Sequence, residues 1–230
     1  MESEDLFSFN IREDESDLFI AADTPIDPEI AIEALASSRA QIKDYIKKNP
    51  EFSRSLSPLR EEAEVFPIIK RMFKASTKVG VGPMASVAGA IAEDVGKKLL
   101  RHSSQIIIEN GGDLFISTAK ERRVGLYTAK GEFKNLIIRV DPSLSPLGIC
   151  SSSSTLGPSL SLGNVDLAFV MAQDASLADA AATALGNKVK SKKNTTDTLQ
   201  LIHSIEGVYA ALVIIEGQLS VIGGIEFYTD

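Results

Sequence analysis

The sequence predicts an α+β fold in which mainly antiparallel sheets pack against helices. Two observations carry that prediction. Segments of strand character come in consecutive runs separated by stretches of helical period, and the strict strand–helix–strand alternation that builds parallel sheets is absent. The 230 residues, 44% of them hydrophobic, are of a size that buries about 70–75% of the unfolded surface in one core. Residues 1–230 are therefore read as a single domain, with acidic strands over 1–24 and the motif-bearing region over 78–224.

The elements follow in order. Leu6 to Ile11 and Asp17 to Ala21 read as a hairpin over the acidic turn from Arg12 to Ser16. Asp27 followed by Pro28 marks a helix start, and Ile32, Leu35, Ile42, Tyr45 and Ile46 form its apolar face before Pro50. A helix is expected from about Arg60 to Phe73, with a break available at Pro67. Met84 to Leu100 reads as a small-residue helix, and Gln105 to Glu109 as a strand. Strands follow near Asp113–Thr118, Arg123–Thr128, Leu136–Val140, Ile149–Ser153 and Val165–Met171. Helices over 176–186 and 195–205 then lead to a closing hairpin over 207–215 and 218–223.

Charge and cysteine content narrow the function. The net charge is −7, and eleven acidic residues stand against the single Arg12 through Glu33. Such a face repels nucleic acid and anionic membrane, so neither is expected as a partner. The sole cysteine, Cys150, rules out an internal disulfide and a cysteine-based zinc site. The acidic N-terminus does not have the form of a signal peptide, which predicts a cytoplasmic location. Lys188, Lys190, Lys192 and Lys193 read as a solvated loop after a helix end, or as an anion-steering patch.

Three motifs carry chemistry, and each has a plain structural alternative. Gly80-Val81-Gly82-Pro83-Met84-Ala85 matches a dinucleotide fingerprint, with Glu109 as the ribose acid, or else a loop with Pro83 at the first position of a packed helix. Asn110-Gly111-Gly112-Asp113 is a hairpin turn, or the edge of a cleft into which the glycines admit a ligand. In the stretch Ser176 to Asn187, Asp179 and Thr183 are four apart and share a helix face. They can reach one hard cation such as Mg2+, unless Asp179 completes a capping box with Ser176 and Thr183 bonds back within the helix.

Taken in order, these segments resemble the ApbE family of flavin transferases. Gly89-Ala90-Ile91-Ala92 is similar to that family's G-A-I-A-K-G stretch, and Glu109-Asn110-Gly111-Gly112-Asp113 to its A-G-G-D turn. Gly148 to Ser154 stands at its T-S-G segment, and Ala178-Asp179-Ala180-Ala181-Ala182-Thr183 resembles A-D-A-L-A-T. The resemblance implies a Mg2+ ion on Asp179, Thr183 and a backbone carbonyl near Ala92, and a site for FAD or another phosphorylated ligand. That site would be formed by Gly89, Ala90, Gly111, Gly112, Asp113, Ser152 and Ser153. The chain departs from the pattern at Glu93 and Asp94, where the family has Lys and Gly. It also has Thr155 to Gly163 in place of a histidine-bearing segment. These departures resemble an uncharacterised branch found in methanogenic archaea and anaerobic bacteria, some members of which are linked to sulfide use and homocysteine formation. That link implies, as an alternative, a non-enzymatic accessory role with a sulfur-metabolism protein as partner. A persulfide role for Cys150 is a further alternative.

Overall fold

The computed structural model describes residues 5–128, 133, 135–152 and 165–228. Antiparallel strands dominate, as expected. The main sheet has eight strands in the order β1 (Phe7–Glu13), β2 (Ser16–Ala22), β3 (Ile106–Asn110), β4 (Asp113–Ser117), β7 (Leu147–Ser152), β8 (Leu167–Ala172), β9 (Val208–Ile215) and β10 (Gln218–Gly223). A second sheet has the order β11 (Glu226–Tyr228), β6 (Asn135–Val140) and β5 (Arg122–Tyr127).

Five α-helices are described: α1 (Pro28–Lys48), α2 (Pro67–Val79), α3 (Val87–Leu99), α4 (Ala175–Lys188) and α5 (Thr195–His203). The period of two along each strand decides which core a residue joins. Ile106, Ile108 and Phe115 face α1, α2 and α3. Cys150, Ala168 and Val170 lie with the apolar residues of α4 and α5. On the opposite face Ile107, Leu114, Ile149, Phe169 and Leu212 meet Val124, Leu126 and Ile138 of the small sheet. The result is a helical layer, the eight-stranded sheet and the small sheet, in that order.

Helix α1 starts as its residues require: the Asp27 carboxylate accepts from the Glu29 N–H at 3.0 Å, and Pro28 takes a position that needs no donor. Helix α2 differs from expectation. It begins at Pro67, not near Arg60, because proline suits the first helical turn and breaks an interior. It also continues past Phe73 to Val79, where Gly80 ends it in the left-handed conformation with φ 78°. Strand β11 is not expected from the sequence, since three residues are too few to show a period.

The acidic N-terminal strands belong to the main sheet. Strand β2 pairs along β3 from Leu18–Asn110 to Ala22–Ile106. Much of the acidity is met internally: Arg39 pairs with Asp14 and Glu15, Arg122 with Asp5, and Asp23 accepts from Ser103, Ser104 and Gln105.

Candidate functional site

The four motifs converge at one end of the main sheet, beneath α3 and α4. Gly111 and Gly112, with φ of 63° and 100°, form the two-residue turn between the paired Asn110 and Asp113. Positive φ at both central residues is the geometry that matches the twist of a hairpin, and glycine adopts it without strain. Sheet alternation then turns Asn110, Asp113, Cys150 and Ser152 towards the helices, since Leu114 and Ile149 between them face the small sheet.

Two glycines bring the helices down onto this end. A Cβ on Gly148 would lie 2.2 Å from the Ala175 Cα, and one on Gly89 would lie 2.2 Å from the Ala175 carbonyl oxygen and 2.9 Å from the Asp179 Cβ. Both contacts involve backbone, which cannot swing aside. Gly148→Ala is therefore expected to destabilise the fold by about 1–3 kcal/mol, read as a lower urea midpoint at unchanged slope.

The Gly89 N–H donates to Asp179 Oδ2 at 2.9 Å. Asp179 thus lies on the amino end of α3, where N–H groups have no partner inside the helix and the dipole favours negative charge. Asn110 Nδ2 donates to the Ala88 carbonyl at 3.1 Å, tying the turn to the same end. The capping-box reading of Ser176 and Asp179 fails, because Asp174 is the cap of α4: its carboxylate accepts from the Leu177 N–H at 2.7 Å. Thr183 does not bond back either. Ser38, Thr195 and Thr198 each donate to the carbonyl four residues earlier, but Thr183 makes no such bond among the described residues.

Asp113 and Asp179 form a neighbouring acid pair. Burial pushes the Asp113 carboxyl up to about 7, against hydrogen bonds from Cys150 and the Ser151 backbone that lower it. Its Oδ1 is buried with no hydrogen-bond partner among the described residues. Asp179 is held well above the carboxylate range, first by burial and then by the charge of Asp113, while the Gly89 and Ala88 N–H groups oppose this. The Cys150 thiol is fully buried, meets the Ala175 carbonyl at 3.5 Å, and is driven upward by burial and both carboxylates. A thiolate there is strongly disfavoured, so the persulfide reading has no support in the geometry.

The other sequence candidates fall as follows. Ala90 and Ala92 lie within α3, packed into the core. Ala92 leads towards Glu93, whose carboxylate accepts from the Ser176 N–H and hydroxyl at the start of α4, whereas Thr183 lies one turn past Asp179 towards the other end. The Ala92 carbonyl belongs to the helical ladder of α3. Ser152 is buried near Gly186. Ser153 and the segment 155–163 lie outside the described residues.

The dinucleotide reading of Gly80 to Ala85 also fails: α2, not a strand, precedes it, and Gly82 packs against the Ser55 carbonyl. Glu109 sits mid-sheet opposite Phe19 and Leu114. His102 is exposed after α3, and His203 ends α5.

Glu93 and Asp94 do not place bare negative charge at the site. Glu93 is completely buried and meets Lys97, Arg71 and Ser176; Asp94 meets Arg71, Lys98 at 2.9 Å and Ser38 at 2.8 Å. No group of three or more His, Cys, Asp or Glu side chains is placed to hold a metal among the described residues. Two carboxylates nevertheless suit Mg2+, which takes one or two from protein and completes its shell with water and phosphate oxygens. The unpartnered Asp113 Oδ1 beside a second acid fits such an ion.

A family model described as AbpE bacteria matches residues 1–201. The chain belongs to that family. Among its relatives, a UPF0280 protein of Methanosarcina acetivorans is 36% identical over 208 residues, covering 90% of this chain and 81% of the relative. One from Archaeoglobus fulgidus is 42% identical over 160 residues, covering 69% and 65%. The fold matches the flavin transferase ApbE from Vibrio cholerae at a TM-score of 0.64 and 10% identity, over 94% of this chain and 96% of that one. The ApbE protein of Thermotoga maritima matches at 0.59 and 12% identity, over 96% of each. The ApbE-like α+β fold of this family member is thereby shown. No described helix is long and apolar enough to cross a membrane.

Proposed function

We propose that this chain binds a flavin nucleotide, or a closely related phosphorylated ligand, with a divalent cation at Asp113 and Asp179. The observation that supports the reading is the acid pair itself: two carboxylates held above their usual range, one with a buried oxygen that has no partner among the described residues. Like charges in a low-dielectric site are poorly tolerated unless protonated or bridged by a cation. The solved ApbE folds supply the ligand class, because they include flavin transferases.

The roles divide by position. Asp179 and Thr183, on the partly exposed face of α4, hold the cation and orient it; Asp113 closes the site from the sheet side. The glycine turn at Gly111-Gly112 leaves room for the ligand at the sheet end, since side chains there would narrow it. A bound Mg2+ would neutralise diphosphate charge.

A thermal-shift titration with FAD, FMN and AMP, each with and without Mg2+, tests this. A Mg2+-dependent rise with FAD is expected, about 2.7 kcal/mol at 100 times Kd. Asp179→Ala should remove the Mg2+ dependence while the apo protein loses only about 1 kcal/mol from the vacated α3 end. An FAD shift indifferent to Mg2+, or one surviving in Asp179→Ala, rules the cation out.

A further inference from the structure

Asn110 is an amide where the fold itself does not call for one. It is 6% exposed and ends β3, whose other residues are three isoleucines and Glu109. Asparagine is depleted in strands, and a buried amide costs free energy unless it is hydrogen-bonded. Its bond of 3.1 Å goes to the Ala88 carbonyl. That carbonyl lies in the first turn of α3, where the helical ladder already offers it a donor from four residues on. A second lone pair left open on such a carbonyl costs little. The amide therefore supplies position, not a missing partner.

What it positions is one peptide unit. The Ala88 carbonyl and the Gly89 N–H belong to the same planar trans group and point to opposite sides of it. Asn110 grips that group by its oxygen, and Asp179 Oδ2 accepts from its N–H at 2.9 Å. Asn110 is also the cross-strand partner of Asp113, so both side chains leave the same face of the hairpin end. The two acids come from different elements, and a short route between them runs from Asp113 to Asn110, through one rigid amide, to Asp179.

Resting on the proposed function, we infer that Asn110 is a positioning residue that sets the spacing of Asp113 and Asp179 and thereby fits the pair to a small cation. Mg2+ demands near-ideal octahedral geometry with oxygens at about 2.0–2.1 Å, whereas Ca2+ takes oxygens at about 2.3–2.6 Å in a flexible shell. An acid pair held at one separation favours the first ion, and a pair free to spread favours the second. Asn110 touches neither ion; it acts through the peptide that Asp179 also holds.

Calorimetry of Mg2+ and of Ca2+ binding to the full chain tests this in the wild type, Asn110→Ala and Asn110→Asp. The aspartate variant keeps the shape and removes the donor. Mg2+ affinity is expected to fall about tenfold in both variants, as for other groups that orient a metal ligand. Ca2+ affinity is expected to stay within about twofold, because its shell adapts. Equal weakening of both ions, or no weakening of Mg2+, overturns the inference while the proposed function stands. Wild-type protein that binds neither ion overturns both. If the variants fold poorly, nuclear magnetic resonance of the wild type decides. Titrated Mg2+ should move the Gly89 backbone amide and the Asn110 side-chain amide along one binding curve, and an Asn110 amide that stays still overturns the inference.

Discussion

Glu93→Ala is expected to destabilise the protein by about 3–5 kcal/mol, the range for removing one partner of a buried ionic network. The Glu93 carboxylate has no solvent exposure. It accepts from the Ser176 N–H at 3.2 Å and the Ser176 hydroxyl at 3.0 Å, and it pairs with Lys97 and Arg71. Its loss leaves an unpaired backbone donor in the first turn of α4 and a guanidinium with Asp94 as its remaining acid. Lys97 is half exposed and regains water, so the damage concentrates on the α3–α4 contact. Chemical denaturation measures the loss. A change below about 1 kcal/mol would mean that the network adds nothing beyond a surface pair.

The second large effect is a dependence of apo stability on pH. Asp113 is raised in the fold from its ordinary 3.8 to about 7. The unfolded chain therefore gives up this proton first as pH rises. The stability contributed by this group is therefore full below about pH 4, is lost through the interval up to about 7, and is absent above it. At about 1.4 kcal/mol per pH unit, the fall from this group is on the order of 4 kcal/mol, with Asp179 acting in the same direction. Asp113→Asn should flatten the curve. Saturating Mg2+ should reverse it, because a cation binds the ionised pair and its affinity then rises with pH as protons are displaced. Denaturation midpoints at pH 4, 5.5, 7 and 8.5 decide the matter. A wild-type curve parallel to that of Asp113→Asn removes the buried acid from the account.

Much of the fold was legible because its signals are local. Asp27-Pro28, Gly111-Gly112 and the polar interruptions between apolar runs each state a cap or a turn in two residues. The helix expected from Arg60 was misplaced because charged residues there are compatible with a helical surface, and only Pro67 marks the true start. At the site, spacing alone left Asp179 between a cap and a ligand role. Asp174 settles the cap, and it sits two residues before the Ser176-to-Asp179 pattern begins. Glu93 and Asp94 looked like charge placed against a phosphate; their partners Arg71, Ser38 and Ser176 come from three other helices.

The Gly89–Asp179 hydrogen bond joins positions far apart along the chain, and this matters during synthesis. Translation adds about 5–20 residues per second, so the amino end of α3 waits several seconds after it emerges before its carboxylate partner exists. In that interval β3 and β4 can pair locally, while Asp113 remains hydrated and titrates as an ordinary acid. The site is thus a late product of folding: the nascent chain carries its carboxylates without strain, and only the docking of α4 brings them into opposition.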